Sequence, residues 1–260
     1  MKYIARFIGW GVVLAITLTF AGGVFAQSLR SDDFIGTSLN SFWKVQNGEK
    51  SPWKLKDGWL VAEAGFNQNV WDSDTSTRFY QATDKDFDVE TSMIVDYKDA
   101  CTVAGIIALS KTTKDSKGRD SEWVTLKLWG RGAAQGNNAV LQYQRREDDA
   151  AAGYVGTQAG YNPKQGTIPV ALRVKRTGND YEAWFKPDGK GDWVRVSKVT
   201  NELKNPLEIG IYVGICEGAG AGKMTVSFDN FLEASSPLVG GVAVDPKDRL
   251  AVTWGAIKRK

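Results

Sequence analysis

Histidine is absent from this chain of 260 residues, cysteine occurs twice and proline seven times. Without histidine there is no Ser-His-Asp or Cys-His catalysis, no histidine-ligated zinc and no ordinary neutral-pH proton shuttle. An excess of one charge is also missing. Lys plus Arg number 33 against 30 Asp plus Glu, and a net +3 gives no electrostatic footprint for nucleic acid. Long helical periodicity and internal repeats are missing too. The apolar run FIGWGVVLAITLTF is short against the ~20 residues of a spanning helix.

What is present begins with an export signal. Lys2 and Arg6 precede the apolar run, and AGGVFA ends in small residues before Gln27. Residues 1–26 are expected to be a secretory signal cleaved after Ala26, giving an extracellular or periplasmic protein. Membrane attachment is expected only through an uncleaved form of that segment. Export permits disulfides. Cys101 opens the apolar run TVAGIIAL and Cys216 closes LEIGIYVGI. If those strands are antiparallel neighbours, a disulfide between Cys101 and Cys216 is geometrically feasible. Two buried free thiols are the alternative.

From Ser31 to Ala234 the dominant period is two. About twelve short strands are expected, separated by turn-like KDG, RGAAQGNN, RTGND, KPDGKGD and EGAGAGK. With no helix between them, they predict an all-β antiparallel sandwich or barrel over 31–234. Residues 235–260 form a C-terminal extension after a Ser-Ser-Pro break. Two loops stand out as long: the charged KTTKDSKGRDSE, and REDDAAAGYVGTQAGYNPKQG with Tyr154 and Tyr161.

The order of segments carries a resemblance. DDFIG, Trp43, WKLKDGWLVAEA, NVWDSDTSTRFYQ, DFDVETSM, AGIIAL, EWVTLKLWGR, VALRVKRTGNDYEAWFKPDGKGDWVRV, LEIGIYVG and VSFDNF succeed one another. This series resembles secreted concanavalin A-like lectin/glucanase domains, over about residues 31–234. The resemblance implies a jelly-roll β-sandwich of two curved sheets, a concave face used for carbohydrate, and a structural calcium. DDFIG starts the domain and FDNF ends it, so the first and last strands are expected to pair and bring Asp33 towards Asp229. Two carboxylates with backbone carbonyls suit Ca²⁺. A strand-end Asp bonding turn amides is the plainer alternative.

Glucanases of this kind carry E-x-D-x-x-E on one strand. In this chain only Glu147 has an Asp two residues on, and Ala152 stands where the second Glu should be. The motif is missing, so no catalytic residue is assigned. The acidic stretch DKDFDVETSMIVDYKD (84–99) has a simpler reading. Period two sets Phe87, Val89, Thr91, Met93 and Val95 on a core side. Asp86, Asp88, Glu90 and Asp96 then face water, with Lys85 and Lys98 as nearby partners.

For sugar binding the informative strand is EWVTLKLW. Alternation sends Val124, Leu126 and Leu128 inward and Trp123, Thr125, Lys127 and Trp129 the other way. Two Trp flanking Thr and Lys suit a half-exposed binding surface. Trp71 is expected to rim it, and the long loop carrying Tyr154 and Tyr161 to fold over it. Packing of Trp123 and Trp129 as ordinary sheet aromatics is the alternative. The function expected is a secreted, non-catalytic carbohydrate-binding or adhesion module. The other readings are a glycoside hydrolase or lyase with unplaced carboxylates, and a structural envelope protein.

Overall fold

The computed structural model describes residues 28–64, 75–98, 101–114, 120–146, 154–157, 161–215 and 223–238. The expected signal segment, Trp71, Cys216 and residues 239–260 lie outside the described residues. Among the described residues no helix is long and apolar enough to cross a membrane.

Fifteen strands are described: β1 (Lys44–Gln46), β2 (Trp53–Lys56), β3 (Trp59–Ala64), β4 (Thr77–Thr83), β5 (Phe87–Lys98), β6 (Thr102–Lys114), β7 (Asp120–Gly130), β8 (Ala139–Arg146), β9 (Tyr154–Thr157), β10 (Gly166–Thr177), β11 (Asp180–Pro187), β12 (Val194–Thr200), β13 (Leu207–Ile215), β14 (Lys223–Phe228) and β15 (Leu232–Glu233). They form two antiparallel sheets. One has seven strands in the order β1-β4-β13-β6-β7-β8-β9. The other runs β12-β11-β10-β5-β14-β3-β2, with β15 added on β5. The chain is an all-β sandwich, as the period-two pattern predicts. Neighbours far apart in sequence, such as β5 with β10 and β14, are what hairpins alone would not give.

Period two decides which side chains fill the space between the sheets. On β5, Val89, Met93 and Val95 are fully buried; on β7, Leu126 and Leu128 are. On β13, Ile209, Ile211 and Val213 complete the same core. Turn chemistry sets register locally. Asp57 and Gly58 both have positive φ, at 54° and 77°, the mark of the two-residue hairpin turn that joins β2 to β3. The second long loop is not wholly a loop: Tyr154–Thr157 pairs with β8 as an edge strand. Tyr161, expected over the binding face, instead packs on the core with its ring 4.9 Å from Phe185.

The ends of the domain meet as expected. Asp32 and Phe231 exchange backbone hydrogen bonds at 2.8 Å in both directions. The buried acid at this junction is Asp32, however, and not its neighbour Asp33. Asp32 accepts from the Phe34 amide (2.9 Å), Asn40 Nδ2 (3.0 Å) and Trp43 Nε1 (2.7 Å). β6 and β13 are antiparallel neighbours, with Thr102 opposite Ile215 at the end of their register. Cys101, one residue beyond, is disulfide-bonded.

The acidic strand departs from expectation at Asp88 and Glu90, both half-buried rather than facing water. Phe87, Val89, Thr91, Met93 and Val95 are buried and Asp86 is exposed. Asp88, however, is half-buried, and neither Lys85 nor Lys98 is its partner. Arg173 of β10 grips it with both prongs, Nε to Oδ1 at 2.7 Å and Nη2 to Oδ2 at 2.6 Å. Lys85 reaches Ser28 instead, at 3.1 Å. A lysine near in sequence is a poor competitor for a guanidinium fork held on the neighbouring strand.

Candidate functional site

The site is built on the face of the seven-stranded sheet that points away from the core. β7 is its centre. Val124, Leu126 and Leu128 face the core, while Trp123, Thr125, Lys127 and Trp129 face outward, as alternation dictates. Cross-strand register then adds neighbours. Lys127 lies opposite Gln142, Thr125 opposite Gln144 and Trp123 opposite Arg146 on β8. On the other flank Gly105 sits opposite Lys127 and Ile107 opposite Thr125. Tyr212 of β13 follows beside Gly105.

Glycine is required at two places here. A Cβ on Gly105 would collide with the Leu126 carbonyl, and one on Gly210 with the Phe79 carbonyl. The outward face therefore has no side chain at these points. Neighbouring backbones approach more closely than any other residue would allow.

The outward face is only partly open. Trp123 is fully buried and forms a second small cluster with Val103, Ile107, Leu109 and Tyr212, against which half-buried Trp129 packs. Thr125 is buried too. Its Oγ1 donates to the Ile106 carbonyl at 2.8 Å and lies 3.0 Å from the Tyr212 hydroxyl oxygen. Burial pushes the Tyr212 phenol well above its ordinary value. Trp129 Nε1 donates to Cys101 Sγ at 2.7 Å, and the Arg131 guanidinium stands 5.9 Å from its ring centre.

Lys127 is the unusual member. It is 6% exposed and its Nζ stands 5.9 Å from the centre of the Trp123 ring. Among the described residues it makes no ion pair. Burial alone lowers its pKa to about 7, because desolvation penalises the ammonium. Gln144 is 3% exposed, and among the described residues its Oε1 has no hydrogen-bond partner. Near the far edge Arg78 donates through Nη2 to Gln46 Oε1 (2.7 Å) and meets Glu208 Oε2 at 3.4 Å.

β9 pairs Tyr154 with Gln144 through the backbone, so Tyr154 sits at the edge of this sheet. Trp71 lies outside the described residues. The structure thus brings Trp123, Thr125, Lys127 and Trp129 together on one face. Sequence reasoning missed Gln142, Gln144, Arg146 and Tyr212. Alternation in AVLQYQRRE could have found the first three. Tyr212 sits in a strand apolar on both faces, which hides its direction.

The calcium expectation rests on Asp33 and Asp229. The Asp33 carboxylate accepts from the Ile35 amide at 3.2 Å, and Asp229 Oδ2 accepts from Asn230 Nδ2 at 3.2 Å. Asp33 lines a polar recess of 180 Å³ with Asp32, Asn40 and Arg30; Asp229 does not line it. In that recess Asp32 already accepts from three donors, and the Arg30 guanidinium lies 4.8 Å from the Phe42 ring centre. No group of three or more Asp, Glu, Cys or His side chains among the described residues could hold a metal.

No family model and no curated protein matches the chain. Solved structures do. A GH43 protein, BlXynB, from Bacillus licheniformis superimposes with a TM-score of 0.57 at 15% identity, over 78% of this chain and 39% of that one. A functionally unknown protein from Saccharomyces cerevisiae gives 0.57 at 16% identity, over 76% and 98%. The catalytic domain of an endo-1,3-β-glucanase (laminarinase) from Thermotoga petrophila gives 0.50 at 11% identity, over 80% and 96%. The chain spans about two fifths of the BlXynB length. At these identities the likeness concerns architecture, and it agrees with the two-sheet topology and the segment order. The chain has the fold of the concanavalin A-like lectin/glucanase domains.

Proposed function

We propose that the protein is a secreted, non-catalytic carbohydrate-binding module, and that it binds glycan on the outward face of the seven-stranded sheet. One observation carries this reading. Gln144 Oε1 is a buried acceptor without a hydrogen-bond partner among the described residues, on one face with the buried Lys127, which makes no ion pair among them, and beside the half-exposed ring of Trp129. Buried polar groups are normally satisfied, and each exception calls for a reason. A polyhydroxylated ligand supplies donors to Gln144 and acceptors to Lys127, and its apolar ring face stacks on an indole. The fold shared with a laminarinase catalytic domain supports glycan as the ligand class.

The non-catalytic part rests on charge. Glycoside hydrolysis needs two carboxylates about 5–10 Å apart. Among the described residues facing outward on β4, β13, β6, β7 and β8, Glu208 is the only acid, and Arg78 is beside it. A second reading, in which this face packs against another chain as part of an envelope structure, is favoured by the half-exposed Trp129 beside the apolar cluster of Val103, Ile107, Leu109 and Trp123.

Retention of the purified protein in gels cast with soluble polysaccharides, laminarin and xylan among them, separates the two. Retention by at least one polysaccharide is expected. It should be lost in Trp129→Ala while the circular dichroism spectrum is kept, and unchanged by EDTA. A protein that migrates freely through every polysaccharide is the outcome of the second reading.

A further inference from the structure

On the opposite side of the molecule, the outward face of the other sheet holds a separate recess of 420 Å³. Its walls are largely apolar: Leu232, Ala234, Pro237 and Leu238. Its polar lining comes from Asp88, Glu90, Arg173 and Glu233, with Ser31 at the edge. The Asp88 and Arg173 charges cancel in their two-pronged pair. Arg173 is further fixed between two indoles, 5.2 Å from the Trp184 ring centre and 5.8 Å from that of Trp193. Glu233 is buried and also committed. It accepts from the Asp88 amide (3.2 Å) and from the Ser235 amide and hydroxyl (3.2 and 3.0 Å).

Glu90 is different. Among the described residues its carboxylate takes no hydrogen bond and no ion pair. Lys186, whose charge also acts on it, has its Nζ 4.5 Å from the Trp193 ring centre and makes no ion pair with Glu90. Burial, opposed by Lys186 and Arg173 and aided by Asp88, pushes the Glu90 carboxyl above its ordinary value. An acid that loses water without gaining a partner is what a cationic guest would relieve. An uncharged guest would bury it further.

We propose that this recess is a binding site for an organic monocation, an ammonium or guanidinium group on an apolar body. The cation pairs with Glu90 and the body lies on Leu232, Ala234, Pro237 and Leu238. The site is independent of the glycan reading, since it lies on the other sheet and uses none of the same residues.

The test titrates the full protein with benzylammonium and, separately, with its neutral counterpart benzyl alcohol, followed by backbone amide NMR shifts. Benzylammonium is expected to move the amides of residues 88–90 and 232–238. Benzyl alcohol should bind about tenfold more weakly or worse, and Glu90→Gln should weaken benzylammonium by about the same factor. Equal binding of the two probes by the wild-type protein would overturn the proposal, without need of any variant. So would unchanged benzylammonium affinity in Glu90→Gln, or an absence of shifts in these two segments.

Discussion

Lys127 stands in the middle of a simple alternation, between Leu126 and Leu128, yet becomes a buried ammonium beside Trp123. Its pH behaviour follows from burial. In the folded chain its pKa is about 7, against about 10.4 when unfolded. Between those values the unfolded chain holds more protons than the folded one, so stability from this group rises with pH from about 7 to about 10. Below about 7 both states are protonated and the penalty is constant. Each pKa unit corresponds to about 1.4 kcal/mol. Urea midpoints of the wild-type protein should therefore climb between pH 7 and 9. In Lys127→Met that climb should flatten, with a higher midpoint at pH 7. The same residue shows how far the sequence goes at this scale. Alternation gave its direction, but its burial depends on Gln142, Gly105 and Trp123, which come from three strand contexts.

At the scale of elements, period two was the informative signal, and it placed the core sides of β5 and β7 residue by residue. It worked because each of those strands has one apolar and one mixed face. It was mute for β13, whose run LEIGIYVGI is buried on both sides and conceals that Tyr212 and Gly210 point outward. Turn-like composition marked the long second loop but not the edge strand Tyr154–Thr157, whose four residues are too few to show a period. The glycines at 105 and 210 are a device of the sheet rather than of either strand. Gly105→Ala should destabilise the protein by about 1–3 kcal/mol or prevent folding, since its Cβ meets backbone that cannot rotate away. Gly191→Ala, with nothing near its Cβ, pays only for its positive φ and should fold. Thermal melts of the two variants side by side check this.

For the whole molecule, contacts far apart in sequence decide what the sequence could not show. The pairing of the first and last strands was legible from DDFIG and FDNF, and the structure forms it through Asp32 and Phe231. Which of two adjacent aspartates turns inward was not legible, because it depends on Asn40 and Trp43 arriving with donors. The partner of Asp88 was likewise hidden, since Arg173 is 85 residues away. Cys101 joins the β6 end of the sheet through its disulfide. Cys101→Ser should cost about 2–5 kcal/mol, seen as a lower urea midpoint that matches the wild-type protein measured in reductant.

The two outward faces also make opposite demands on one assay. Polysaccharide retention of wild-type protein, Trp129→Ala on the seven-stranded sheet and Trp184→Ala on the other tests the central claim most directly. The account predicts that the wild-type protein and Trp184→Ala are retained alike while folded Trp129→Ala runs free. Retention lost in Trp184→Ala and kept in Trp129→Ala, or retention of none of the three, would contradict it.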